Sequence, residues 1–320
     1  MRVKLIFLLS GEHPTLPLSE LSCVGDVLDS RPQVGVAACN SLSGISRLAL
    51  THYVLEYLGE CPGDASSFCS LLKDLAIESP GSFLARVKKI EGAHVREPTM
   101  QLERQMGELI SGEVSLEHPD CEYRAIFSGD RCYIGRVYCQ IDRGAFDERN
   151  PGKRDFFHPG VMMPRMARAL VNIARTNPGE YFLDPFCGTG GILIEADMVG
   201  ARVAGMDMDI SMVRGTLRNL PESPVFLGDA AHLPLRERSI DAVATDFPYG
   251  QSSCIMAQGL ESLYEESLHE IRRVLKPGRR AVVVTHRDIR PIASPLMKIL
   301  EFHEQRVHKS LTRRILVLGS

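Results

Sequence analysis

The sequence predicts an α/β protein with a doubly wound parallel sheet in its C-terminal half and an α+β region before it. The chain has 320 residues, more than one average domain, so two domains are expected. The second half alternates short β-branched runs with amphipathic helical patterns, which is typical of parallel sheets covered by helices. Apolar residues make up 44% and charged residues 24%, ordinary values that exclude a disordered or fibrous chain.

The N-terminal half mixes strand and helix patterns without a regular alternation. We predict strands at residues 3–9, 34–38, 82–88, 123–127 and 132–140. We predict helices at residues 17–23, 45–58, 66–77 and 99–111. Strands mixed with short helices in this way indicate small sheets with helices on one face.

The C-terminal half alternates more regularly. Predicted helices cover residues 163–175, 191–199, 210–220 and 260–275, and predicted strands cover 181–184, 202–207, 241–245, 281–285 and 315–318. The helix at 260–275 has acidic residues early, basic residues late and a Pro277-Gly278 stop, as the helix dipole favours. Because strands and helices alternate, we expect parallel strands joined by right-handed crossovers.

A polar stretch separates the two halves. Charged residues crowd around glycine and proline at residues 144–158, and such a segment has little apolar surface to bury. We therefore predict an N-terminal region at 1–143, a linker at 144–158 and a C-terminal domain at 159–320.

The composition also restricts location and partners. No apolar run approaches the roughly 20 residues that a spanning helix needs, so we expect a soluble, cytoplasmic protein with no membrane contact. The nine cysteines include no C-x-x-C pair, which predicts reduced thiols and no zinc ribbon. The formal net charge is -3, so a polyanionic partner would have to bind local basic patches.

The strongest local pattern is the glycine-rich loop Asp184-Pro185-Phe186-Cys187-Gly188-Thr189-Gly190-Gly191, between a predicted strand and helix. Glycines there permit a tight turn and let backbone N–H groups approach a ligand at the helix N-terminus. The loop lacks the Lys-Ser/Thr of a P-loop and the spacing of the dinucleotide motif. Taken alone, it is equally compatible with a simple packing turn.

Acidic residues follow the next two strand patterns. Asp207 lies about 20 residues past the glycine loop, where a ribose diol is held in related sheets, and Asp209 is placed to cap the next helix. Asp229-Ala230 follows an apolar pair, where Asp229 could accept a bond from an adenine amine or simply begin a turn. Acids at successive strand ends on one sheet edge indicate a nucleoside-binding site.

A fourth pattern, Asp246-Phe247-Pro248-Tyr249-Gly250, follows the strand predicted at 241–245. A carboxylate and backbone carbonyls can accept hydrogen bonds from an exocyclic amine, and a tyrosine ring can stack on a flat base. This combination suits a base flipped out of its stack. By itself, D-x-P-Y is more often a turn.

The order of these four patterns resembles that of class I S-adenosylmethionine-dependent amino-methyltransferases, which have a Rossmann-like fold. Residues 156–165, with the sequence F-F-H-P-G-V-M-M-P-R, resemble the entry segment of THUMP-containing tRNA N2-guanine methyltransferases. Residues 10–16, 83–90 and 133–136 resemble the ferredoxin-like and THUMP regions of that family. Across nearly the whole chain, the sequence is most similar to the archaeal type that acts on guanosine 10 of tRNA.

The resemblance implies a function and a set of residues. The expected reaction is methyl transfer from S-adenosylmethionine to guanine N2 in tRNA, without a metal. The expected catalytic residues are Asp246, Phe247, Pro248 and Tyr249. The expected cofactor-binding residues are His158, Pro159, Asp184, Phe186, Gly188, Thr189, Gly190, Asp207, Asp229 and Ala230. The expected tRNA phosphate contacts are Arg86, Lys88, Lys89, Arg143, Arg149, Lys153 and Arg154, although any one of them is more often a solvated surface residue.

One departure keeps two alternatives open. The family pattern is D-P-P-Y, and Phe247 stands at the first proline position. Phe247 still offers a backbone carbonyl, and Pro248 favours an extended Phe247, but the rigidity of a second proline ring is lost. The alternatives are an N6-adenine or N5-glutamine methyltransferase, which the THUMP-like half opposes, and a catalytically weakened tRNA-binding protein. The residues leave open whether one or two methyl groups are added. They also leave the oligomeric state open, and a monomer is compatible with the sequence.

Overall fold

The computed structural model describes residues 2–249, 259–308 and 311–320. The chain forms two compact units, Met1–Asp142 and Arg143–Ser320. None of the described helices is both long and apolar enough to cross a membrane.

The first unit is built on one seven-stranded sheet. Its strands are β1 (Val3–Leu9), β2 (Gly25–Arg31), β3 (Val34–Cys39), β4 (Thr51–Pro62), β5 (Phe83–Lys89), β6 (Cys121–Ser128) and β7 (Arg131–Gln140), in the order β2-β3-β1-β4-β7-β6-β5. Its helices are α1 (Leu16–Leu21), α2 (Ala65–Leu75) and α3 (Thr99–Leu109). All neighbouring strands are antiparallel except β5 and β6.

Both faces of this sheet are buried at β1. Leu5 and Phe7 pack into one apolar cluster, and Ile6 and Leu8 pack into another on the opposite face. Successive strand residues point to opposite faces, so burial on both sides explains the uninterrupted apolar run at the start of the sequence.

The second unit is a seven-stranded α/β sheet. Its strands are β8 (Tyr181–Asp184), β9 (Arg202–Asp207), β10 (Val225–Leu227), β11 (Ile240–Asp246), β12 (Leu275–Thr285), β13 (Lys298–His308) and β14 (Leu311–Gly319), in the order β10-β9-β8-β11-β12-β14-β13. Its helices are α4 (Pro164–Ile173), α5 (Gly191–Met198), α6 (Ile210–Asn219), α7 (Leu260–Val274) and α8 (Arg290–Ala293). Strands β8 to β12 run parallel, so their carboxyl ends share one edge.

The predicted α/β class is confirmed, but three details were wrong. The second sheet is mixed, because β14 pairs antiparallel with both β12 and β13. The N-terminal half has a single sheet rather than small separate sheets. The helix predicted at 45–58 is a short 3-10 turn, Ile45–Arg47, followed by β4. Pairing of β4 with β1 and β7 along its length outweighs a helical spacing of leucines.

The segment predicted as a linker, residues 144–158, belongs to the second unit. It forms the 3-10 turns Gly144–Arg149 and Pro151–Lys153. The backbone N–H of Phe156 donates to Asn219 at 3.1 Å, and the Asn219 amide donates back to the Phe156 carbonyl at 2.8 Å. The Phe156 ring lies where a side chain at Gly215 would project, so this segment is packed tightly against α6.

Two helical glycines test that packing. A Cβ at Gly215 would lie 2.0 Å from the Phe156 ring, whereas a Cβ at Gly107 in α3 would meet nothing within 4 Å. We expect Gly215→Ala to lower the free energy of unfolding by about 1–3 kcal/mol through overpacking. The control Gly107→Ala should raise it by about 0.5–1 kcal/mol, because alanine is the better helix former. Urea unfolding of both variants measures this, and equal shifts of the same sign would contradict the packing described.

Candidate functional site

A cavity of about 440 Å³ opens in the second unit at the carboxyl edge of the parallel strands. Its volume lies in the range of small-molecule sites, and strand ends of this kind are where α/β sheets bind ligands. The residues lining it come from four stretches of sequence: 158–162, 184–192, 207–212 and 246–249. Two of these stretches are the glycine loop and the D-F-P-Y pattern.

The glycine loop makes a tight turn from β8 into α5. Gly188 and Gly190 have positive φ values of 51° and 79°, which glycine tolerates best. The Thr216 hydroxyl on α6 donates to the Gly188 carbonyl at 2.6 Å and fixes the turn. A Cβ at Gly188 would meet nothing within 4 Å, so the backbone there faces open space.

Asp207 joins this turn to the end of β9. One of its carboxylate oxygens accepts the Gly188 N–H and the other accepts the Asp209 N–H, both at 2.9 Å. Each oxygen keeps a further lone pair, so a ribose hydroxyl could still bind. Burial raises the pKa of Asp207. Asp209 caps α6 by accepting the Ser211 N–H at 2.7 Å, which confirms the predicted cap.

Asp184 lies deeper than the sequence suggested. Its side chain is fully buried and accepts the Thr245 hydroxyl at 2.6 Å and the Phe186 N–H at 3.2 Å. Burial raises the pKa of Asp184 to about 7, and the Thr245 bond opposes that rise. Its contacts therefore hold the ends of β8 and β11 together at the cavity wall.

Asp246 and Tyr249 meet in another part of the wall. The Tyr249 hydroxyl donates to the Asp246 carboxylate at 3.1 Å. Burial raises the pKa of Asp246 to about 6, and the positive charge of Arg313 and the Tyr249 bond act in the other direction. Asp246 is thus an acceptor whose charge changes near neutral pH, a property common at catalytic sites.

Phe247 anchors the same loop to the core. Its side chain is only 1% exposed, stacks on Tyr264 at 5.0 Å and meets the edge of Phe186 at 5.1 Å. Its N–H donates to the Val284 carbonyl on β12 at 2.8 Å, a bond that proline could not make. The Tyr264 hydroxyl donates to the Pro248 carbonyl at 2.6 Å. The loop is therefore held by hydrogen bonds and ring packing where the family pattern has a second proline.

Sequence reasoning missed two side chains beside Tyr249. The His286 ring lies 4.8 Å from the Tyr249 ring, and Arg313 bonds to Tyr249 and acts on Asp246. His286 follows β12, and Arg313 lies near the start of β14, which runs antiparallel and so begins at the carboxyl edge. No motif marks either residue.

Of the other residues predicted to bind the cofactor, some line the cavity and some do not. His158, Pro159, Phe186, Gly188 and Thr189 line the cavity. Among the described residues, Gly190, Asp229 and Ala230 are not part of the wall. Asp229 accepts the Ala231 N–H at 2.9 Å just past β10, the neighbour of β9, so its predicted adenine contact stays a prediction. Gly250 lies outside the described residues.

The predicted tRNA contacts also differ in accessibility. Arg86 and Lys88 are exposed on alternate positions of β5, whereas the Lys89 ammonium donates to the Glu97 carbonyl. Lys153 is exposed. Arg149 instead pairs at 2.8 Å with Glu195, which is fully buried. Arg154 bonds to the Arg149 carbonyl at 3.0 Å, so Arg149 and Arg154 are tied to their own unit. Arg143 also has a contact of its own, and its tRNA contact stays a prediction.

The cavity wall suits a cationic nucleoside derivative such as S-adenosylmethionine. It carries the carboxylates of Asp184, Asp207, Asp209 and Asp246 and, among its described residues, no lysine or arginine. Met208, Met212, Phe186 and Ile192 supply apolar surface for a base. Over the described residues, no three His, Cys, Asp or Glu side chains are grouped to hold a metal ion.

Substitution of Phe247 tests how the loop is held. Phe247→Pro removes the bond to Val284 and leaves much of the ring's space empty, so we expect unfolding free energy to fall by about 3 kcal/mol. Phe247→Leu keeps the N–H and most of the volume, and it should cost less than about 2 kcal/mol. Urea unfolding compares the two. A proline variant as stable as the wild-type chain would show that ring rigidity replaces the bond.

Comparison with known proteins agrees with this geometry. Residues 151–315 match the UPF0020 family, described as an RMKL-like methyltransferase domain. The chain is 35% identical to the tRNA (guanine(10)-N2)-dimethyltransferase of Methanothermobacter thermautotrophicus, with 99% of both chains covered. It is 28% identical to the enzyme of the same name from Methanocaldococcus jannaschii, with 97% of both covered.

A solved structure shares the fold over both units. The crystal structure of TrmN from Thermus thermophilus matches with a TM-score of 0.53 and 21% identity, and the match covers 99% of each chain. The match at 35% identity over 99% of both chains, with the family model over residues 151–315, shows that the chain belongs to the family of tRNA (guanine(10)-N2)-dimethyltransferases.

Proposed function

We propose that the protein transfers a methyl group from S-adenosylmethionine to N2 of guanosine 10 in tRNA. The observation that carries this is a cavity whose walls bring the glycine loop and Asp207 together with Asp246 and Tyr249. Full-length similarity to the tRNA (guanine(10)-N2)-dimethyltransferases supports the substrate and the position. By the same similarity we propose that N2 is methylated twice.

The donor side of the cavity is formed by the glycine loop and β9. Bound S-adenosylmethionine supplies an electrophilic methyl group. Asp207 would accept the ribose hydroxyls, and the Gly188 backbone leaves room for a close approach. The aspartates of the wall favour the positive charge of a sulfonium through Coulomb attraction in a partly enclosed site. We retain Asp229 as the proposed adenine contact, and His158 and Pro159 as the entrance.

The acceptor side is formed by the D-F-P-Y loop. The N2 amine of guanine is a poor nucleophile, because its lone pair is delocalised into the ring. The Asp246 carboxylate and the Phe247 carbonyl would accept its N–H bonds and direct the lone pair towards the donor, and Asp246 would then take up the released proton. Tyr249 would stack on the flipped base. Holding both reactants in this geometry supplies most of the acceleration, since proximity can contribute roughly 7–11 kcal/mol.

The first unit and exposed basic residues of the second unit are proposed to bind the tRNA. The chain is acidic overall, so binding depends on local positive charge, for which Arg86, Lys88, Lys89 and Lys153 are the candidates. Arg149 and Arg154 are reassigned, because their contacts lie within the second unit. With tRNA as substrate, we place the protein in the cytoplasm.

The catalytically weakened alternative rests on Phe247 alone. The bond to Val284 and the stacking on Tyr264 support a fixed loop at that position, as proline does in the family pattern. We therefore expect an active enzyme.

Asp246 should give the reaction a characteristic pH dependence. Its raised pKa of about 6 means that the accepting anion is lost as pH falls through that value, so kcat/KM should fall about tenfold per unit below it. Asp246→Asn should lower kcat by about 10²-fold or more and remove that limb. Methyl transfer assayed from pH 5 to 8 tests this. A wild-type rate that is flat across pH 6 would rule out Asp246 as the acceptor.

Nucleoside mass spectrometry identifies the product. Incubation of unmodified tRNA with the protein and S-adenosylmethionine should yield N2-methylated guanosine, and a transcript with adenosine at position 10 should yield none. The Asp246→Asn chain is the matched control. Methyladenosine in the substituted transcript would instead support the N6-adenine alternative, and donor binding without any methylated nucleoside would support the non-catalytic one.

A further inference from the structure

The second unit contains a group of charges next to the cavity that the reaction described above does not use. Arg149, Arg154 and Arg168 gather around one carboxylate, Glu195 in α5. Glu195 is fully buried and lies 2.8 Å from Arg149 and 2.8 Å from Arg168. Its charge also acts on Arg154, but its oxygens are occupied by the other two arginines.

Arg154 is the member of this group without an anionic partner of its own. Its Nε donates to the Arg149 carbonyl at 3.0 Å. Both terminal nitrogens are buried and, among the described residues, neither has a hydrogen-bond partner. Burial lowers the pKa of Arg154, as expected for a cation without full compensation. A buried guanidinium left in this state destabilises the protein that carries it.

The position of this guanidinium is set by Gly191, the first residue of α5. A Cβ on Gly191 would lie 3.0 Å from Nη1 of Arg154, so the glycine lets the guanidinium lie against the first helical turn. Gly191 also lines the cavity. The N-terminus of a helix carries partial positive charge and repels a cation, so the buried guanidinium of Arg154 and the start of α5 repel each other directly behind Gly191 in the wall.

An anion bound in the cavity beside Gly191 would compensate both the charge of Arg154 and the partial positive charge at the N-terminus of α5. The wall itself has four carboxylates and, among its described residues, no lysine or arginine, so it attracts the cationic groups of the donor but has no charge for the donor's own carboxylate. We infer that Arg154, acting across Gly191 with the N–H groups of the first turn of α5, selects a donor that carries a free amino-acid carboxylate. This inference rests on the proposed function and adds a specificity-determining residue that does not touch the reacting atoms.

The test compares two ligands that differ at the amino-acid end. S-adenosylhomocysteine retains the carboxylate, and methylthioadenosine lacks the whole amino-acid end. Isothermal titration would be carried out on the full chain, on Arg154→Met, which removes the charge at similar length, and on Arg154→Lys, which keeps it. Arg214→Met removes an exposed arginine of α6 and serves as the control.

We expect Arg154→Met to bind S-adenosylhomocysteine about tenfold more weakly and methylthioadenosine with unchanged affinity. Arg154→Lys should restore most of the loss, and Arg214→Met should behave as the wild-type chain. Without ligand, Arg154→Met should melt at or above the wild-type temperature, because an uncompensated buried charge has been removed. That combination of equal or higher stability and weaker binding separates charge recognition from simple damage to the fold.

Three results obtained with Arg154→Met would overturn the inference. Unchanged affinity of Arg154→Met for S-adenosylhomocysteine would show that the charge of Arg154 does not affect a ligand bound in the cavity. Equal weakening for both ligands would indicate a distorted pocket. If Arg154→Met weakened only the binding of tRNA, measured in parallel, Arg154 would be a phosphate contact, as the sequence analysis predicted. If the wild-type chain bound neither ligand nor S-adenosylmethionine, the proposed function would fail together with this inference.

Discussion

The hydrogen bond from the Gly188 N–H to the Asp207 carboxylate connects the two strand ends on which the cavity depends. It ties the glycine turn after β8 to the end of β9, and the second Asp207 oxygen fixes the start of the segment leading to α6. Parallel strands bring their carboxyl ends to one edge, and this bond joins the loops that follow β8 and β9 there. Asp184 likewise joins the ends of β8 and β11, because it accepts a hydrogen bond from the Thr245 hydroxyl.

The D-F-P-Y loop is held by aromatic packing. Phe247 lies between Phe186 of the glycine loop and Tyr264 of α7, and Tyr264 also bonds to the Pro248 carbonyl. The donor and acceptor loops are therefore packed against each other through one ring. A proline at position 247 would supply backbone rigidity but would lack both the ring contacts and the N–H bond to Val284. The loop is thus held by ring packing and a backbone hydrogen bond in this chain, and by proline rigidity in the family pattern.

Charge is distributed unevenly around the cavity. Its wall is acidic, which suits a cationic donor, and burial raises the pKa of Asp184 and Asp246 in that wall. Positive charge is placed behind the wall instead, at Arg313 beside Asp246 and at Arg154 behind Gly191. Such an arrangement keeps Asp246 able to ionise near neutral pH without a cation in contact with the donor's sulfonium.

Local pattern predicted the elements whose neighbours lie close in sequence. The strand Val3–Leu9, the turn from β8 into α5, the strand Arg202–Asp207 and the cap at Asp209 all follow from apolar runs, glycines and capping residues. Most of strand β4 was predicted as a helix. Its partners in β1 and β7 lie about 45 and 80 positions away in the sequence, so a local pattern could not reveal the pairing. The sequence by itself determined the fold class, the order of the motifs and the side chains of the D-F-P-Y loop. Only the tertiary structure decided that Arg313 and His286 join that loop, that Arg149 and Arg154 face Glu195 and α5, and that Phe247 substitutes packing for rigidity. Those outcomes depend on which distant surfaces meet, and the local periodicity of a chain carries no information about that choice.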